Sequence, residues 1–433
     1  MKRVRTVLGL TAVLVVLGST YVFASGQKQA PESSAAGSTE INLTYWGWGP
    51  HVDAVNNEIG PAFTKMHPNV HITATSFGPF DLMDKFYVSI ATGKGAPDVA
   101  ILVRRLAGKY MIPTLLYDFT SFVEKYKSDF PPALLGDVTS VDGKILSIPP
   151  DYGPGVLFYD KSLADKLGID VSKIKTWDDY YQLGLRITRD DPTVYIQPNF
   201  VPGGSWGSNQ WRLFAGSAGG NIFNKDNKVI RNNAVLQKVT EFYYKLNTDL
   251  HVAKGQVNDP AIYDQLRKGN LLFWPSNSYK EMEIAQQAPD LKGKIYALPW
   301  PLWSNDAPKL TGVWGGVALV VPKAGPHADV AAQFAEFYAT NADALTKLFF
   351  STAGVPAFAP VRNKILGITD QATFSPNLIQ SIDAREVSPW NFTDWAQTEK
   401  ILGDGLDSMF AGKVSPQDAW PYIEKQLINT LGR

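Results

Sequence analysis

Residues 141–161, VDGKILSIPPDYGPGVLFYDK, decide how this chain is organised. Asp142-Gly143 reads as a type I′ hairpin turn, whose two central residues both need positive φ. Ile145, Ser147 and Ile148 lead into Pro149-Pro150, which cannot continue a central strand because proline donates no ladder hydrogen bond. Gly153-Pro154-Gly155 breaks the chain again before the apolar run Val156-Leu157-Phe158-Tyr159. Two strands flank a short, stiffened crossing about one third of the way along. A chain leaves one lobe and enters another in this way, so the stretch predicts a hinge.

Upstream of the crossing, strand and helix patterns alternate. Ile41, Leu43 and Tyr45 follow a period of two, and Val55, Ile59, Phe63 and Met66 then fall on one helical face. Val70, Ile72 and Ala74 alternate again, and Leu82, Phe86 and Ile90 make a second helical stripe. Val99 to Val103 is a continuous apolar run, the mark of a parallel strand covered on both faces. This β-α-β-α-β order predicts an α/β fold with an open, doubly wound sheet. Ligands of such sheets sit beyond the carboxyl ends of the strands, which here are Trp46-Gly47-Trp48-Gly49-Pro50 and Arg104-Arg105.

Downstream the chain is more helical. Leu236, Val239, Tyr243 and Leu246 share a face, as do Val330, Phe334 and Phe337. Ser415-Pro416 reads as an N-cap with proline at the first helical position, and Asp418 completes a capping-box-like pair. Ile423, Leu427 and Leu431 follow on one face, and Pro421 weakens the first turns.

With 433 residues the chain exceeds one ordinary core, so two domains are expected. Residues 1–24 read as a secretory signal, with Lys2, Arg3 and Arg5, an apolar run from Val7 to Leu17, and Val22-Phe23-Ala24 before the cleavage point. An uncleaved anchor is the alternative, but the run is short for a bilayer span. Residues 25–39 have linker composition. Cysteine is absent. Core burial alone must therefore hold the fold, and no thiol is available for a lipid anchor. Removing residues 1–24 takes away three cations and no anion, which turns a balance of 41 cations and 41 anions into −3. That charge does not recommend nucleic acid as a partner.

Catalytic and metal-binding signatures are missing. The five histidines (His51, His67, His71, His251, His327) show no ligand spacing, and no P-loop or dinucleotide fingerprint occurs. Gly203-Gly204-Ser205-Trp206-Gly207 fits the G-x-S-x-G pattern. A nucleophile elbow needs a strand before it, however, and Pro198 and Pro202 spoil that strand. Asp178-Asp179 and Asp190-Asp191 are paired carboxylates, but adjacent residues on a helix do not face one substrate atom together. The sequons at Asn42 and Asn391 need only be chance matches. The positive signal is aromatic. Twelve Trp, 18 Tyr and 22 Phe include many in Gly/Pro-rich loops, away from apolar stripes. An indole offers a flat apolar face and one N–H donor, which suits the C–H face of a pyranose. Packing competes for each loop Trp and is favoured for Trp211.

Taken together, LTYW in the opening strand, IATGKGAPDV, DGKILSIP, VLFYDKSLADKLGID, TWDDY, SAGGNIF, LRKGNLLFW, WGGVALVVPK and a closing SPQDAW helix resemble the family 1 extracellular solute-binding proteins of ABC importers, the group that includes maltose-binding protein. The resemblance runs over most of residues 41–431. It implies a two-lobed, type II-like periplasmic-binding-protein fold, with 40–150 and 316–358 in one lobe and 151–315 and 359–433 in the other. It also implies a monomer that holds a carbohydrate between the lobes, hands it to a membrane permease and uses no cofactor. The binding residues it implies are Trp46, Trp48 and His51 after the first strand, then Arg104 and Arg105, and Asp151 and Tyr152 at the crossing. Trp206 and Asn209, then Trp274, Asn277 and Tyr279, and finally Trp314 and Trp390 complete the set. Pro299-Trp300-Pro301-Leu302-Trp303 departs from the family pattern, as an extra stacking face or as lobe packing. A glycosidase, a sensory receptor and a receptor for a charged solute such as a polyamine are the competing functions.

Overall fold

The computed structural model describes residues 39–140, 142–201, 205–255, 259–368, 373–382, 386–387 and 395–432. Its two main sheets are built from Ile41–Gly47 (β1), Val70–Ser76 (β2), Val99–Val103 (β3), Asp151–Asp160 (β4), Phe273–Asn277 (β5), Ile295–Pro299 (β6), Val313–Trp314 (β7), Val317–Val320 (β8) and Val355–Pro356 (β9). The first sheet has the order β8-β3-β1-β2. β1 runs parallel to β2 and β3, whereas β8 is antiparallel to β3 and returns from far along the chain. Val99 to Leu102 are wholly buried, as their unbroken apolar run requires.

The helical run between β1 and β2 shows how the sequence shapes this lobe. It passes from Gly49–Ala54 through a π-helical turn, Val55–Ile59, into Gly60–Met66. Pro61 lacks an N–H and its ring crowds the preceding turn, and the wider turn just before it relieves both faults. Val55, Ile59 and Phe63 point into the core, where Phe63 meets Phe334 and Phe337 edge-on at 5.4 Å. Met66, the last member of the expected stripe, is 64% exposed, because the π turn shifts the helical phase.

The second sheet is centred on β4. Its distal half lies between β5 and β6, while its proximal half pairs with β7 through Gly153 and Pro154 and with β9 through Asp151 and Tyr152. The expected break at Gly153-Pro154-Gly155 is therefore absent: β4 runs on through Pro154 as one strand of ten residues. Proline is tolerated because the pairing partners change at this point, so no ladder bond is asked of its missing N–H. Ser278 N–H donates to the Pro154 carbonyl instead, and Gly155 N–H to the Gly312 carbonyl, each at 3.0 Å. The upstream chain reversal is present, with Thr139 bridged to Ile145 and Gly143 N–H donating to the Ser140 carbonyl at 3.0 Å. It is not the expected type I′ turn: only Gly143, at φ +83°, has positive φ, and Asp142 does not.

Around β4 the core is aromatic. Trp177, Phe214 and Trp300 pack within 5.1 Å of one another, and Trp303 donates to Ser217 Oγ at 3.0 Å. The Trp300–Trp303 segment is thus lobe packing and not a ligand face. Trp211 is buried, stacks on Trp420 and donates to Thr240 Oγ1 at 3.1 Å. Ser415 caps the Pro416–Leu431 helix by accepting from Asp418 N–H, and Pro421 sits inside that helix. Among the described residues no helix is long and apolar enough to cross a membrane.

Candidate ligand-binding cleft

A cavity of about 290 Å³ opens where the two sheets meet. From the first sheet it receives Trp48, Pro50 and His51 after β1, Pro79 after β2, and Val103 at the end of β3. These are the carboxyl ends of parallel strands, where side chains of the connecting loops converge. From the second sheet come Ser276, Asn277, Tyr279, Lys280 and Glu283 at and beyond the end of β5, together with Trp314 of β7. Aromatic faces from both sides, Trp48 opposite Tyr279 and Trp314, give the walls their apolar area.

Asp151 lies behind the cleft wall, against Gly316, and is fully buried. Val317 N–H donates to its Oδ1 at 3.2 Å, while Oδ2 faces His51 Nε2 at 3.9 Å. The Tyr279 hydroxyl interacts with the Asp151 carboxylate, whereas the hydroxyls of Ser276 and Ser278 have no hydrogen-bond partner among the described residues. Burial raises the Asp151 pKa against the opposing pull of His51, the Val317 N–H, Tyr279 and Arg104. Burial lowers that of His51, whose Nδ1 lies 3.0 Å from the Tyr338 hydroxyl. Lys280 is also buried and ion-paired with Glu283, and burial lowers its pKa. Buried polar atoms without partners are costly, and a hydroxyl-rich ligand would satisfy them.

The expected binding residues divide into groups. Trp48, His51, Asn277, Tyr279 and Trp314 line the cavity; Asp151 does not, and is buried behind Gly316, which does. Trp46 turns away to Phe77, 5.0 Å distant, with Lys85 over its ring at 4.7 Å. Strand alternation sends it to the opposite face from its neighbours. Tyr152 is buried in the ladder with Val355. Trp274 is buried beneath Tyr263 at 5.2 Å. Arg104 is ion-paired with Asp137 and donates to the Gly315 carbonyl at 2.9 Å; Arg105 is paired with Glu399 at 2.8 Å. Asn209 Nδ2 donates to the same Glu399 at 2.6 Å. Arg104, Arg105 and Asn209 thus bind protein groups. Burial pushes the neighbouring Arg212 down to about 9, still charged at neutral pH. Trp390 and the Trp206 side chain fall outside the described residues, as do Gly203 and Gly204 of the G-x-S-x-G match.

Lys280, Glu283, Pro79, Val103 and Thr352 line the cavity without having been singled out from sequence. Applying the strand-end rule to Phe273–Asn277 as well would have found Lys280 and Glu283. The paired carboxylates serve elsewhere. Asp179 forms a capping box with Thr176, and Asp190 pairs with Arg189 on the surface. Among the described residues no cluster of three or more His, Asp or Glu could hold a metal.

Comparison with known proteins places this architecture. The bacterial extracellular solute-binding protein family matches residues 48–345. The chain belongs to that family. An arabinooligosaccharide-binding protein of Bacillus subtilis (strain 168) is 26% identical over 342 residues, 76% of this chain and 76% of its own. A protein of the same description from Halalkalibacterium halodurans is 25% identical over 325 residues, 72% of this chain and 70% of its own. Among solved structures, the sugar-binding protein MalE from Xanthomonas citri superposes with a TM-score of 0.71 at 19% identity, covering 89% of this chain and 96% of its own. The lacto-N-biose complex of a Bifidobacterium longum binding protein gives 0.70 at 20%, covering 91% and 98%. The two-lobed fold of this solute-binding protein is thereby shown.

Proposed function

We propose that this solute-binding protein captures a carbohydrate, an oligosaccharide, between its two lobes and delivers it to the permease of an ABC importer. One observation carries the reading: aromatic faces from both sheets enclose a cavity that is also lined by polar groups, among them Asn277, Tyr279 and the buried, unpartnered hydroxyl of Ser276. Rings with apolar C–H faces and a rim of hydroxyls match both features. The two curated relatives, both described as binding arabino-oligosaccharides, support the same class. The proposal takes 40–150 with 316–358 as one lobe and the rest of the folded chain as the other. The protein acts outside the cytoplasm, after export by residues 1–24, as a monomer and without catalysis. A sensory receptor would share the fold, and a neighbouring pair of permease genes distinguishes the two roles.

A thermal-shift screen tests the reading, because a ligand bound only by the native state raises the melting temperature by mass action. Arabino-, gluco- and galacto-oligosaccharides, monosaccharides, polyamines and peptides form the panel. At least one oligosaccharide should raise the melt. A shift from a polyamine or peptide with none from any sugar overturns the reading. Product release from an oligosaccharide that binds would establish the glycosidase instead.

A further inference from the structure

Three stretches of chain cross between the sheets: the start of β4, the link from β7 to β8, and the link from the Ala342–Thr352 helix to β9. Each carries a glycine against the ring of Tyr279. A Cβ at Gly153 would lie 2.6 Å from Tyr279 Cδ2 and 2.7 Å from Cε2. At Gly315 it would lie 3.1 Å from Cε2, and at Gly354 2.7 Å from Cε1, on the other edge of the ring. Cβ atoms do not approach within 3.0 Å, and 3.1 Å is tighter than most, so the ring occupies space that glycine leaves open. The Trp314 carbonyl, 2.5 Å from a Cβ at Gly153, and Asp151 Oδ2, 2.7 Å from one at Gly354, crowd the same positions. Tyr279 belongs to the second sheet's lobe, because it follows β5 and its N–H donates to Asn277 Oδ1 at 2.9 Å. The residue before Gly354 is also constrained. Ala353 ends its helix at φ +56°, a left-handed conformation that residues with a Cβ rarely adopt.

We propose that Tyr279 is the positioning residue of lobe closure, its ring seated in a socket made by one glycine from each crossing. A side chain carried by one lobe and touching all three crossings is displaced by any rotation between the lobes. The seat therefore sets where closure ends. It also brings the Tyr279 hydroxyl to the buried Asp151 carboxylate behind the cleft wall. The proposal rests on the reading of the cavity as a cleft that closes on its ligand.

The chain contains no cysteine, so Asp84→Cys and Lys292→Cys, exposed on the two lobes, label the full protein specifically for distance measurement by fluorescence transfer. Gly354→Ala and Tyr279→Ala, singly and together, form a double-substitution cycle. Closure is read with a saturating oligosaccharide from the screen. Gly354→Ala should lower the closed-to-open ratio at least fivefold, and the pair together should lower it at least threefold less than the product of the single effects. Tyr279→Phe, which keeps the ring, should leave the Gly354→Ala defect in place. Gly315→Ala replaces Gly354→Ala if that variant does not fold. Gly315 stands at φ +78°, so part of its defect is backbone strain that Tyr279→Ala leaves in place, and only the part that Tyr279→Ala removes supports the seat. Full closure of the glycine variant, or single effects that simply multiply, overturns the proposal. If no sugar binds the unsubstituted protein, the carbohydrate reading fails by itself. The same cycle is then read on the thermal melt, where non-additive shifts support the seat and additive ones overturn it.

Discussion

Arg105 Nη1 and Glu399 Oε2 form an ion pair at 2.8 Å, both side chains less than a tenth exposed, that joins the loop after β3 to the Trp395–Phe410 helix. Asn209 donates to the other oxygen of Glu399, so both carboxylate oxygens are used. Three segments remote in sequence meet in this group. Burial raises the Glu399 pKa, and Arg105 and Asn209 pull it back. The pair therefore joins the β3 loop to a distant helix, and both groups are spent on protein partners.

Removing one member of such a pair leaves a buried charge alone, at a cost of about 3–5 kcal/mol. Arg105→Ala and Glu399→Ala should each lower the urea midpoint accordingly, while Arg105→Leu with Glu399→Leu should cost clearly less than either. Equal losses from the single and double variants would show that packing and not charge is at stake.

Trp48 and Trp314 are half-buried on opposite walls of the cleft. A stacked aromatic contact contributes roughly 1–2 kcal/mol including its buried area, or about tenfold in affinity. Trp48→Ala and Trp314→Ala should each weaken oligosaccharide binding by calorimetry about tenfold or more, with the ligand-free melt little changed. A large drop in that melt would assign the ring to packing instead.

Glu281 is buried behind the cleft wall, where it accepts from Phe374 N–H at 2.8 Å, and burial pushes its pKa up to about 7 from 4.5. The native state thus holds this proton more tightly than the unfolded chain. The resulting stability is complete below pH 4.5 and is lost as pH rises through 7, by about 3 kcal/mol at most. Several other carboxyls are raised in the same direction, so the measurable quantity is a difference. Glu281→Gln should gain on the unsubstituted protein in unfolding free energy between pH 5 and pH 8. A constant difference across that range would refute the assignment.

Gly405 lies where the Trp395–Phe410 and Pro416–Leu431 helices cross, and an added Cβ would overlap the Ile423 side chain. Overpacking of this kind costs about 1–3 kcal/mol. Gly405→Ala should lower the melting temperature, and in a chain that already carries Ile423→Ala, which removes the overlapping Cγ1, its further cost should be recovered in large part. No recovery would place the strain elsewhere.

The local patterns of this protein were legible without coordinates. Val99 to Val103 could only be a strand covered on both faces, and the ends of β1 and β3 pointed to one wall of the cleft through Trp48 and His51. Proline and glycine between 149 and 155 marked the crossing, although they do not interrupt the strand. Pairing is a property of two chains, and the exchange of partners at Pro154 is invisible in one.

Sequence by itself determined the fold class, the strand-end wall and the aromatic character of the cleft-lining loops, because periodicity and residue chemistry act locally. Tertiary structure decided which aromatic side chains reach the cleft. Trp46 and Trp274 carry the same chemistry as Trp48 and Trp314, but strand alternation and core packing turn them away. It also decided what the charged residues face. Arg104 and Arg105 stand at a strand end, the right place for ligand contact, yet Asp137 and Glu399, 33 and 294 residues further on, meet them there. The socket around Tyr279 is the clearest case, since three glycines from three crossings converge on one ring and no spacing along the chain relates them.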